Sequence, residues 1–261
     1  MRAVLLLLLS ATALTAQAPN ANYSWATAFD RLDRTSRSIL DGIRCVQELA
    51  AAREGGVFGR DADAMQEWAC VRQQDSRLAL FLTFDSTVSR IVGLAVLDRT
   101  TGARYTGALD SSRVIAQSRA EIRTLQTLRT RLGEGYEPMA TVTFRSDGDS
   151  IEVWLLPMGA LRARPVTLGG ERAFIYGPDG RAGAREVDAT ARLRTVSVPD
   201  TGTITLESQE SELPLVSELI AANRLDAIGL GVSIRTGRTL STLAGGAAWI
   251  HIRGKAPNSP P

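Results

Sequence analysis

The apolar pattern predicts an α+β protein: a helix-rich N-terminal half with a small sheet, then a β-rich antiparallel half containing one helix. Three observations carry this. Between Ser24 and Arg53 apolar or small residues recur in steps of four and three. The same period returns between Ser112 and Leu132. From Ala140 onward the period is mostly two. Elements are therefore grouped as 17–135 and 136–254, and a chain of 261 residues can bury one large core or two smaller ones. Apolar residues make up 44% and charged residues 22%, ordinary for a globular protein.

The first residues stand apart. Arg2 precedes an unbroken apolar run, Val4 to Leu9, and small residues follow at Ser10, Ala11, Ala13, Ala16 and Ala18. This is the pattern of a secretory signal peptide, with an apolar run too short to span a bilayer. The expected segment is 1–16, with mature chain from Gln17. A cut after Ala18 (segment 1–18) would place Pro19, which lacks an N–H, at the scissile amide. No later run reaches the ~18 apolar residues that a membrane helix needs. The expected location is periplasmic or extracellular.

The first helix carries its stripe on Trp25, Phe29, Leu32, Ser36, Ile39, Ile43, Val46 and Ala50, and Gly55-Gly56 ends it. A second helix is expected from Asp61 or Asp63, with Met65, Trp68, Ala69 and Cys70. Leu78 to Phe84 and Ile91 to Leu97 read as strands, and Arg104 to Leu109 as a possible return. The helix capped by Asp110 or Ser111 has the stripe Ile115, Ser118, Ile122, Leu125, Leu128 and Leu132, and Gly133, Gly135 and Pro138 close it. Val142 and Phe144 alternate toward a turn at Asp147-Gly148, and Ile151, Val153 and Leu155 return. Trp154 falls on the opposite strand face. Phe174 and Tyr176 lead into the turn Gly177-Pro178-Asp179-Gly180, and Leu193 to Val198 and Ile204 to Leu206 continue the strands. Ser211 and Pro214 open a helix bearing Leu215, Val216, Leu219 and Ile220. Ile228 to Ile234, a turn at Thr236-Gly237, and Ala247 to Ile252 close the fold. The tail 255–261 holds three prolines and is expected to be disordered.

Cys45 and Cys70 are the only cysteines, and in an exported chain they predict a disulfide. The chain has 30 basic and 28 acidic residues, and Lys255 is its one lysine. No dense basic run marks a nucleic-acid partner.

The candidate chemistry is narrow. His251 is the only histidine, so multi-histidine metal sites cannot form within one chain, and no G-x-S-x-G elbow supplies a triad nucleophile. Gly229-Leu230-Gly231 lacks the third glycine of a dinucleotide loop. Asp61 and Asp63 lack the glycine of a calcium loop. Carboxylates remain: Glu207, Glu210, Glu212 and Glu218 crowd the approach to the last helix. They form the alternative site for a carboxylate-dependent hydrolase of an envelope polymer, which needs two acids facing one cleft. Acids at a helix start also complement its dipole. The sequence thus favours a non-catalytic, cofactor-free envelope protein that binds an undefined protein or envelope ligand.

Overall fold

The computed structural model describes residues 21–132, 140–146, 149–157, 164–181, 185–188, 192–208, 212–246 and 248–254. The expected leader, the closing residues Gly133, Gly135 and Pro138, the Asp147-Gly148 turn, Glu210, Ser211 and the tail 255–261 lie outside these. Among the described residues, three α-helices and fourteen strands in four sheets form the α+β fold. No helix among the described residues is long and apolar enough to cross a membrane.

Helix α1 (Ala21–Glu54) is the longest element. A 3-10 turn at Gly59–Ala62 leads to β1 (Glu67–Gln73), β2 (Ser76–Asp85), β3 (Arg90–Asp98) and β4 (Ala103–Arg104), an antiparallel sheet in sequence order. Here the structure corrects the sequence reading, because Trp68, Ala69 and Cys70 lie on strand β1, not on a helix. The reason is two-sided burial. Ala69 and Val71 face one way, against Leu78, Leu80 and Val96, while Trp68 and Cys70 face Cys45 and Leu49 on α1. A strand places neighbouring apolar residues on opposite faces, and both faces are covered here.

Helix α2 (Ser111–Leu132) covers the face opposite α1. Its buried side is turned relative to the expected stripe: Val114, Gln117, Ala120, Thr124 and Leu128 are buried, whereas Ile115, Ile122 and Leu125 are half-buried. Polar residues occupy this side because each finds a partner, as with Thr124 Oγ1, 2.8 Å from the Tyr176 hydroxyl.

The second sheet has the order β5 (Ala140–Arg145), β6 (Ile151–Leu156), β8 (Arg172–Tyr176), β9 (Arg185–Asp188). Strand β6 is buried throughout. Ile151, Val153 and Leu155 pack toward α2, and Trp154 and Leu156 pack toward Ile39 of α1 and Ile220. Trp154 thus lies under helices, with its indole N–H donating to Glu152 at 2.8 Å. Gly180, after β8, meets α2 so closely that a Cβ would stand 2.2 Å from the Ala116 carbonyl oxygen, and its φ of +67° also favours glycine.

Short strands β7 (Val166–Leu168) and β10 (Arg194–Val196) pair with each other. The last sheet runs β11 (Thr203–Glu207), β12 (Gly231–Thr236), β13 (Thr239–Ala244), β14 (Ala248–Arg253). Helix α3 (Val216–Ala227) links β11 to β12. That crossover makes β11 and β12 parallel, the exception in an otherwise antiparallel half. Residues Ile228 and Gly229 close α3 rather than opening a strand.

Helix α1 joins these parts. Phe29 enters the core of the last sheet, Ile39 that of the second sheet, and Cys45 and Leu49 that of the first. Toward its C-terminal end the buried line runs through Cys45 and Leu49, while Val46 is half-buried and Ala50 exposed. The Cys45–Cys70 disulfide fixes α1 to β1, with a Cα–Cα distance of 6.3 Å. Gly42 allows α1 to touch β5, since a Cβ there would lie 2.5 Å from Cγ1 of the buried Val142. We expect Gly42→Val to destabilise the fold by about 1–3 kcal/mol through overpacking. Adding Val142→Ala should recover part of that loss in chemical denaturation, and no recovery would show that the contact is not the cause.

Candidate functional site

The edge strands β1 and β5 face each other across a seam. Gln117 of α2 bridges it, its side-chain amide donating to the Cys70 carbonyl at 3.2 Å and the Thr143 carbonyl at 3.4 Å. Beside this seam opens a cleft of about 1150 Å³. Seven arginines and three aspartates line it, an excess of four formal positive charges on a chain whose total is +2. Helix α1 contributes Arg37, Asp41 and Arg44, and the β1–β2 hairpin contributes Arg72 and Arg77. Arg99, Arg113, Arg145, Asp149 and Asp226 arrive from four further regions of the fold.

These arginines differ in freedom. Arg99 is buried and forms ion pairs with Glu48 and with Asp41 at 3.1 Å, so it braces the wall. Arg145 contacts Asp149 at 3.2 Å and donates to the Pro178 carbonyl at 2.9 Å. Arg44 and Arg72 are exposed, and among the described residues neither guanidinium has a carboxylate partner.

Several charges sit where local physics disfavours them. Arg72 and Arg77 are direct cross-strand partners, and like charges in that register repel. Arg113 stands in the first turn of α2, against the helix dipole, with Asp110 3.5 Å away. Asp226 stands in the last turn of α3, where the dipole disfavours an acid. All four face the cleft. A second hollow of about 530 Å³ adjoins it, shares Arg37, Ser38, Phe144 and Arg145, and adds Arg31 and Arg34.

The candidate carboxylates take separate places. Glu207 is exposed and pairs with Arg235 at 3.0 Å. Glu212 is exposed, and its main-chain carbonyl accepts the Trp25 indole N–H at 2.7 Å. Glu218 is fully buried and takes the Leu215 N–H at 2.9 Å and Arg194 at 2.8 Å, closing the start of α3. Glu210 lies outside the described residues. Near Glu218 is a buried acid that the sequence reading missed. Glu171 accepts the Ser217 N–H at 3.1 Å, and its second oxygen has no hydrogen-bond partner among the described residues. Burial raises its pKa against the Ser217 hydrogen bonds. Nothing in a loop glutamate after two glycines signalled this.

His251 also has a defined setting. Its ring lies 4.5 Å from Phe29 and 5.0 Å from Trp25, and Nδ1 lies 2.9 Å from the Ser241 hydroxyl. Burial lowers its pKa, opposed by Asp30 and Asp33. Among the described residues no cluster of His, Cys, Asp or Glu could hold a metal ion.

One further acid pair lies between α2 and β1. Burial raises the Glu121 pKa to about 7; Thr143, whose hydroxyl donates to Glu121 at 3.0 Å, opposes the shift, and Glu67 adds to it. Burial also raises Glu67. No protein-family model, curated protein or solved structure matches the chain.

Folding therefore favours protonated Glu121. Its contribution is complete below the ordinary value of 4.5 and is lost as pH rises through about 7. Stability measured by denaturant at successive pH values should fall across that window, and Glu121→Gln should flatten the fall. An unchanged slope in the variant would remove Glu121 as its source.

Proposed function

We propose that this protein is an exported, non-catalytic binding module whose arginine-lined cleft takes an anionic ligand. The observation that supports it best is the gathering of seven arginines from five parts of the fold into one concave surface of a nearly neutral protein. Concave surfaces with an excess of one sign focus potential and attract opposite charge. The positions of Arg72, opposite Arg77 across the hairpin, and of Arg113, in the first turn of a helix, support the same reading, since local electrostatics disfavours a cation at either. The disulfide and the expected leader fit a protein working outside the cytoplasm.

A carboxylate-dependent hydrolase of an envelope polymer is the second reading. The observation favouring it is the Glu67–Glu121 pair, whose raised pKa values suit acid–base work. Neither residue lines the cleft, which is why binding is preferred.

The test is charge reversal at the two exposed arginines. Arg44→Glu combined with Arg72→Glu should weaken binding of a linear polyanion such as polyphosphate by about tenfold or more at low salt. Arg90→Glu combined with Arg185→Glu, outside the cleft, should change it little. Equal loss in both variants would reduce the effect to net charge and count against the cleft.

A further inference from the structure

We infer that the ligand of this cleft is a linear acidic glycan, a chain of sugar rings carrying carboxylates and free hydroxyls; this rests on the binding reading above. The first ground is length. Arg31, Arg34, Arg37 and Arg44 stand on one helix, and at 1.5 Å per residue the row spans about 20 Å. The two adjoining hollows share four residues and so form one trough beside that row. A single small anion would meet one or two of these guanidinium groups, whereas an extended chain with repeated charges meets all of them.

The second ground is the acceptors set among the donors. Asp226 lines the trough and makes no ion pair among the described residues, and Asn223 stands one turn before it. A carboxylate repels a chain that offers only negative side chains. It welcomes one that offers hydroxyl donors between its charges, as a uronic-acid polymer does. A polypeptide of ionised aspartate or glutamate alone has no such side-chain donors. The third ground is the shortage of stacking surfaces. Phe144 is the one aromatic residue lining the described trough, while single-stranded nucleic acid is held by successive bases on aromatic rings.

The test is calorimetric titration of the full mature chain with galacturonic acid, its linear oligomers, poly-L-glutamate of matched charge and single-stranded oligothymidylate. Affinity should rise with uronate length and level off once the oligomer covers the arginine row. Poly-L-glutamate and oligothymidylate should bind about tenfold more weakly. Asp226→Ala, which removes an acid from a helix C-terminus and should leave the fold intact, should weaken uronate binding and not polyglutamate binding. Equal affinity for uronate and polyglutamate, or tighter binding of oligothymidylate, would overturn the glycan assignment and leave the anion cleft standing. If uronate binding survives Arg44→Glu with Arg72→Glu, or if none of the polyanions binds at low salt, both readings fall.

Discussion

The fold depends on one long helix burying a single side against three sheets. At 34 residues, α1 reaches the last sheet with Phe29, the second with Ile39 and Gly42, and the first with Cys45 and Leu49. An isolated amphipathic helix draws most of its stability from such packing. Here three separate cores draw on the same helix, so the placement of each sheet is tied to the others. The disulfide adds a covalent tie at the C-terminal end. In the chain-entropy model, closing its loop contributes roughly 3 kcal/mol.

That arrangement produces the seam, and the seam produces the cleft. The first two sheets lie side by side under α1, and their edge strands leave carbonyls that Gln117 satisfies. The helix presents Arg37 and Arg44 over this junction, and hairpins from both sheets bring Arg72, Arg77 and Arg145 to it. Buried Arg99 holds Asp41 and Glu48 to the wall, so the exposed arginines stand on a braced frame. The price of the arrangement is visible in repelling arginines across a hairpin and in charges at the wrong helix ends.

Much of this was legible in the sequence. The helical spans of α1 and α2, the alternation of β5 and β6, the two cysteines and the turn at Gly177–Gly180 each obey a local rule. The misreadings share a cause. Strand β1 is covered on both faces, so its apolar residues show no clean alternation. Strand β13 buries Thr239 and Ser241 with Leu243, so hydrophobicity gave it no direction. Helix α2 buries Gln117 and Thr124 because tertiary hydrogen bonds satisfy them. The cleft itself was out of reach. In a chain where arginine is nearly the only base, no single arginine stands out, and only the folded arrangement of α1, two hairpins and α2 brings these together.

The central claim is that α1 holds the sheets as one cooperative unit. Native-state hydrogen exchange along α1 measures it most directly. Amides from Ile39 to Leu49 should exchange only by global unfolding, with the same free energy as those of β2 and β6. Exchange of that stretch through a cheaper local opening, while β2 and β6 stay protected, would contradict the account.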